Sequence, residues 1–397
     1  MMNKKLAILL FCLVVVMMGY GIAMPVFPFL IDHLGGRGIH FGLLIASYGL
    51  MQFIFAPLWG SLSDKIGRKP LLLIGMLGLS FAMLAFAFAT QLWMLYTAQI
   101  FAGGLSSAAL PSAQAYAADI TPKKDRSGAM GKIGGAIGLG IVLGPGLGGW
   151  MASISLSAPF FMASGFAFLT FIIILLGLPE SLSLEHRTVK TEFKIFPVKD
   201  LWKALFTPIG FGLVTVFIAI FCQAIFSSVF GLYALARFNY GPEQIGTILM
   251  VMALMFALAQ GLLVGPLTKK AGEQKVISFS FLGASIGFLF ILFSGSYLTI
   301  MLSMSFFVLF TALLKPSALA FVSKNATGGQ GKVMGMAESY MSMGRIIGPL
   351  WGGAIFDVNI NFPFMSGILI TFVAFLVSFK YIHQKMKGEQ EKNLRPG

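Results

Sequence analysis

Three ionisable side chains, Lys315, Glu338 and Arg345, stand inside long apolar runs, where a charge is costly and marks a candidate site for moving or recognising ions. A carboxylate so placed can take up and release a proton, and a guanidinium can hold an anion. At 1.5 Å per helical residue, Glu338 lies about 8 Å and Arg345 about 18 Å into their run, and Lys315 about 10 Å into its own. Glu338 and Arg345 are seven residues apart and share a helix face. A Lys315–Glu338 pair near the interface is the plain structural expectation, whereas Arg345 at mid-depth is expected to line a cavity. Asp32, at the end of the first apolar run, is the other acid able to exchange protons, here with the exterior. Gln52, Gln223 and Ser227 join Arg345 as candidate substrate contacts, with Gln99, Gln114 and Gln260 at similar depth. They stand among 40 Phe and 23 Met, and Met gives adaptable, polarizable contact to varied lipophilic shapes.

Other chemistries find no support. His33, His40, His186 and His383 are scattered without an HExxH pattern or a carboxylate cluster, and no GxxxxGK[ST] loop is present. Cys12 and Cys222 lie far apart in apolar surroundings, where a free thiol behaves as a small hydrophobe. No catalytic residue, metal or cofactor is expected, and the chain does not read as an enzyme.

The elements that must position these residues follow from composition. Of 397 residues, 57% are hydrophobic and 11% charged, against about 25% charged in soluble domains. A membrane-crossing helix needs roughly 20 apolar residues, and twelve such runs occur, at about 6–30, 41–62, 71–89, 92–118, 128–154, 159–178, 209–236, 243–267, 276–294, 297–322, 332–356 and 361–382. They are too long and too little alternating for barrel strands. The first is also too long for a signal-peptide core. The fold class expected is an all-α membrane protein with twelve transmembrane helices in two six-helix bundles.

The net charge of +14 is a topology signal. With both termini inside, 24 of the 28 basic residues fall in cytoplasmic segments and two, Arg37 and Arg237, fall outside. A nucleic-acid partner is excluded on the same ground. The polar stretch after span 6 divides the chain into an N-terminal bundle over 1–179, a cytoplasmic linker over 180–208, a C-terminal bundle over 209–382 and a cytoplasmic tail over 383–397. The halves repeat: Gly60-Ser-Leu-Ser-Asp64 through Gly67 matches Gly265 through Gly272, and Pro111-Ser112-Ala113 matches Pro316-Ser317-Ala318, both at an offset of 205. Gly140, Gly144, Pro145, Gly148 and Gly149 match Gly344, Gly348, Pro349, Gly352 and Gly353 at 204. Parallel repeats of this kind place a substrate site near the membrane midplane.

The loop after span 2, Gly60-Ser-Leu-Ser-Asp64-Lys65-Ile-Gly67-Arg68-Lys69, combines two glycines with an Asp among cations, suited to charge-assisted hydrogen bonds in a tight turn. All ten positions resemble the signature G-x-L-x-D-[RK]-x-G-R-[RK] of the major facilitator superfamily. The resemblance implies a conformational latch in the outward-facing state, in which Asp64 bonds to the start of span 11 and Arg68 pairs with Asp119.

In span 5, Gly140, Gly144 and Gly148 stand four apart, a spacing that lets helix backbones pack closely, with Pro145 and Gly149 completing the pattern. It resembles the G-x-x-x-G-P-x-x-G-G signature of proton-coupled drug antiporters, and Gly19, Gly21, Pro25 and Pro28 in span 1 are similar to the same group. Similarity extends along almost the whole chain to NorA-like multidrug exporters. Three usual charges of that group are absent: an Arg in span 4 is here Gln99, and acids in spans 7 and 10 are Ser227 and Ala312. With Lys315 and Arg345 added, the C-terminal half exchanges negative for positive potential, which favours neutral or anionic amphiphiles over permanent cations. The resemblance implies proton-coupled export of small amphipathic compounds by alternating access, from a multi-pass monomer in the lipid bilayer of the cytoplasmic membrane. Its partners are the substrate and protons, with Glu338 and Asp32 as candidate proton carriers. An uptake permease or uniporter for a metabolite is the alternative.

Overall fold

The computed structural model describes residues 4–122, 125–182, 198–326 and 329–393. Most of the expected linker and the last residues of the tail, including His186 and several of the basic residues assigned to the cytoplasm, lie outside these. The described residues form helices and no strands. A helix pairs most of its backbone donors and acceptors within itself, the condition for crossing hydrocarbon.

Among the described residues, ten helices are long and apolar enough to cross a membrane. The two remaining expected spans, 4 and 11, are helical as well, but each departs from a plain apolar rod for a visible reason. Span 4 is interrupted, running Leu92–Leu105, a 3-10 turn at Ser106–Ala108, then Ala109–Ile120. Pro111 supplies no N–H and its ring crowds the carbonyl of Ser107 four residues back, which tightens the turn there. Span 11, Gln330–Phe356, is one helix of 27 residues whose apolarity is lowered by Lys332, Glu338, Arg345 and a glycine-rich face. Span 1 breaks at Pro25 into Lys4–Ala23 and Phe27–His33. Span 8 carries a π turn at Ala259–Leu263, immediately before Pro266, a distortion hydropathy does not reveal.

The chain separates into two compact units, one of Met1–Ile195 with Phe230–Ala253 and one of Phe196–Val229 with Leu254–Gly397. In the first, Phe27, Phe86 and Phe160 from spans 1, 3 and 6 pack edge-on or tilted, with ring centroids 5.1 to 6.0 Å apart. In the second, Val216, Ile277, Phe281, Leu314, Phe321, Met341 and Ala374 from spans 7, 9, 10, 11 and 12 form one core.

The repeat read from sequence is repeated in contacts. The Ser80 hydroxyl meets the carbonyl of Ser164 at 3.2 Å, joining spans 3 and 6, and 205 residues on the Ser285 hydroxyl donates to the carbonyl of Ile368 at 3.2 Å, joining spans 9 and 12. Gly78 admits Leu105, and Gly283 admits Phe310 at the equivalent place. Ser112 and Ser317, the paired serines after proline, are both fully buried with unpartnered hydroxyls.

Candidate functional site

The signature loop is built around Arg68, which is almost wholly buried. Its guanidinium donates to Asp64 at 2.6 Å, to Asp119 at 3.2 Å and to the Ser63 hydroxyl at 2.7 Å. Three acceptors around one cation compensate its removal from water, which a single exposed pair would not. The turn itself depends on Gly67, with φ of 109° and ψ of 166°, a region closed to side chains. A Cβ there would also strike the Glu180 carboxylate. Gly60, by contrast, faces open space, so backbone conformation and lack of room account for Gly67 alone. Lys69 reaches the Leu175 carbonyl at 2.8 Å.

Glu180 is the residue that sequence reasoning missed. It follows span 6, at the start of the expected linker. Its carboxylate accepts the backbone N–H groups of Arg68 at 2.8 Å and Lys69 at 3.1 Å, which open span 3, together with those of Ser181 and Leu182. A carboxylate at a helix N-terminus satisfies orphan donors and complements the dipole. The neighbouring Ser181 hydroxyl donates to Asp119 at 3.0 Å, and the Tyr116 hydroxyl donates to the Pro179 carbonyl at 2.6 Å. The signal available in the sequence was a lone acid beside proline at a span end, indistinguishable there from a boundary charge.

The span 5 glycines divide between two neighbours. Gly140 and Gly144 lie on span 1: a Cβ at Gly144 would come within 2.8 Å of the Gly21 Cα and the Met18 carbonyl, and one at Gly140 within 2.5 Å of the Val14 carbonyl. Gly148 continues this face against Ile22. The Pro145 ring also meets span 1 at Gly21, while Gly149 and the Pro145 carbonyl face span 8, where a Cβ on Gly246 would meet that carbonyl at 2.5 Å and the Gly149 Cα at 2.8 Å. In span 11, Gly344 and Gly348 make the corresponding approach to Phe217, Phe221 and Ala224 of span 7. The small-residue spacing thus brings backbones into contact in both halves.

Of the charged residues in the spans, Glu338 takes Arg345 as its ion partner at 2.9 Å. The expected Lys315–Glu338 pair does not form. Helical Cα–Cβ bonds tilt toward the N-terminus, so the long Arg345 side chain leans back over two turns toward Glu338, and Lys315 is near enough for both charges to act on it. Gln223 and Ser227 lie half-buried on span 7, with the Ser227 hydroxyl turned back to the Gln223 carbonyl at 2.9 Å. Gln52 is half-buried on span 2, and Asp32 is exposed at the end of Phe27–His33. Gln99 is buried and lines a cleft in the first unit with Tyr20, Tyr48 and Ser106, the two tyrosine rings 5.4 Å apart.

A family model for the Major Facilitator Superfamily matches residues 9–260 and 212–397. The chain belongs to the Major Facilitator Superfamily. Within it, the chain is similar to Multidrug resistance protein 2 of Bacillus subtilis, with 34% identity over 90% of both chains. It is also similar to the Quinolone resistance protein NorA of Staphylococcus aureus, with 30% identity over 95% of this chain and 96% of that one. Among solved structures it resembles the nucleoside transporter NupG, with a TM-score of 0.79 and 14% identity over 95% of this chain and 99% of that one, a likeness of fold. This superfamily member is a multi-pass membrane transporter and not an enzyme.

Proposed function

We propose that this superfamily member exports small amphipathic compounds, drugs among them, across the cytoplasmic membrane in exchange for protons, with both termini in the cytoplasm. The observation that carries the direction of transport is the span 5 glycine face: the antiporter pattern is complete in sequence, and Gly140 and Gly144 make the backbone contacts with span 1 that the pattern requires. The names of the two bacterial relatives support the substrate class. Alternating access by rocking of two six-helix bundles, over 1–179 and 209–382, follows from the repeat. Gly60, Asp64, Gly67, Arg68, Lys69 and Asp119 serve as the latch, Glu338 and Asp32 are the candidate proton carriers, and Gln52, Gln223, Ser227 and Arg345 contact substrate.

Everted vesicles test this reading. An imposed pH gradient, acidic inside, should drive uptake of a lipophilic dye, and a protonophore should abolish it. Uptake that needs no gradient, or accumulation in right-side-out vesicles instead, would establish the permease or uniporter alternative.

A further inference from the structure

Glu338 and Arg345 form their 2.9 Å pair on one face of span 11, with 54% and 35% of the two side chains exposed. An ionised pair is costly against hydrocarbon, which favours an exposed face that borders water. Lys315 of span 10 lies close enough to bear on both charges, and it makes no hydrogen bond or ion pair among the described residues. Around this cluster, spans 7, 8, 9 and 12 carry charged side chains only near their ends, at Glu243, Lys269, Lys270, Glu273, Lys275, Lys380 and His383 and at Arg237. Cys222 is buried on span 7, and the Tyr340 hydroxyl is engaged with the Leu201 carbonyl. The cluster therefore holds two cations and one anion in contact with a water-accessible face.

Two constraints then act on any substrate that uses it. The excess positive charge repels a simple cation and attracts an acidic group. Exchange imposes the opposite demand. An anion that captures Arg345 strips Glu338 of its counter-charge, so Glu338 binds a proton more readily; anion and proton would then bind together and travel in one direction. Only a group that competes with the proton for Glu338, such as a substrate ammonium, makes occupancy by substrate and by proton mutually exclusive, as exchange requires. One class of ligand meets both demands. We propose that the Glu338–Arg345 pair opens to bind zwitterionic amphiphiles, the substrate carboxylate lying on Arg345 and Lys315 and its ammonium on Glu338. This rests on the reading of Glu338 as the proton carrier of an exporter. It also replaces the expectation of neutral or anionic substrates, because the acid paired to Arg345 gives the ammonium its place.

Three forms of one aromatic fluorophore supply the test: the free amino acid, its methyl ester and its N-acetyl derivative, which are zwitterion, cation and anion on the same apolar body. Export driven by a pH gradient is measured in proteoliposomes of the full chain, alongside a neutral lipophilic dye. The zwitterion should be exported about tenfold better than either derivative, a difference of about 1.4 kcal/mol. Arg345→Gln should collapse its advantage over the ester, Arg345→Lys should restore part of it, and Glu338→Gln should remove its advantage over the N-acetyl form together with the dependence on the gradient. Equal export of ester and zwitterion by the parent protein overturns the proposal, as does an Arg345→Gln protein of normal thermal stability with the parent's preferences. If the neutral dye is exported against its gradient while the zwitterion shows no advantage, this inference fails and the exporter reading stands; if no compound is driven by the pH gradient, the exporter reading itself fails.

Discussion

Arg68 and Glu180 show how a short turn is held by residues more than a hundred positions apart. The guanidinium gathers Asp64, Asp119 and Ser63, while the backbone N–H groups of Arg68 and Lys69 are gathered by Glu180. Losing a hydrogen-bonded charge partner costs about 1.5–3 kcal/mol, so Arg68→Ala, Asp64→Asn and Glu180→Gln should each slow export about tenfold or more while membrane abundance stays near normal. Dye efflux normalised to protein in the membrane checks this, and unaltered efflux in all three would remove the latch from the mechanism. The glycines give a sharper contrast. Gly67→Ala must adopt a backbone region that costs about 1–3 kcal/mol and must displace the Glu180 carboxylate, so its abundance and melting temperature should fall. Gly60→Ala meets nothing within 4 Å and should leave both unchanged. Equal behaviour of the two would show that the turn geometry is not what the signature preserves.

At the scale of elements, close packing of glycine faces and local breaks in helices divide the labour. Gly144 has no room for a side chain, since the Gly21 backbone lies where a Cβ would be, and forcing atoms into such a contact separates the helices. Gly144→Leu should abolish export, and Gly144→Ala should lower the melting temperature by several degrees, of the order expected for overpacking at about 1–3 kcal/mol. Gly138 faces open space, with nothing within 4 Å of an added Cβ, so Gly138→Ala should be silent in the same assays. A fully active Gly144→Leu protein would place the glycine face outside the mechanism. Span 4 and span 8 show the other half of the division: Pro111 and Pro266 accompany a 3-10 turn and a π turn, which leave backbone groups to be re-satisfied by neighbours such as Ser106 and Ser107, whose hydroxyls turn back to the carbonyls of Ala102 and Gly104.

For the whole molecule, the orientation implied by 24 inner and two outer basic residues is open to direct labelling. Cys12 and Cys222 are both buried, so the parent protein should react negligibly with a membrane-impermeant maleimide and needs no cysteine removal. Pro122→Cys, in an exposed turn after span 4, should label in everted vesicles only. Gly295→Cys, exposed between spans 9 and 10, should label in intact cells. The reverse pattern would invert the topology and with it the assignment of Asp32 to the exterior.

Span number, class and internal repeat were legible in the sequence because each rests on local quantities. Hydropathy over some twenty residues decides whether a segment can cross a bilayer, and small residues four apart define a face before any partner is known. Spans 4 and 11 fell short of that simple criterion where proline, glycine and charge interrupt the apolar run. The choice of partners was decided only by tertiary structure. Nothing local distinguishes Lys315 from Arg345 as the mate of Glu338; helix geometry and side-chain reach select Arg345. Nothing near residue 180 announces that its carboxylate will sit beneath Gly67, because that contact exists only once spans 3 and 6 pack and bring together groups 112 residues apart. Hydrophobic burial is additive along the chain and non-directional, whereas a hydrogen-bonded charge needs distance and angle together, and those are properties of the folded molecule.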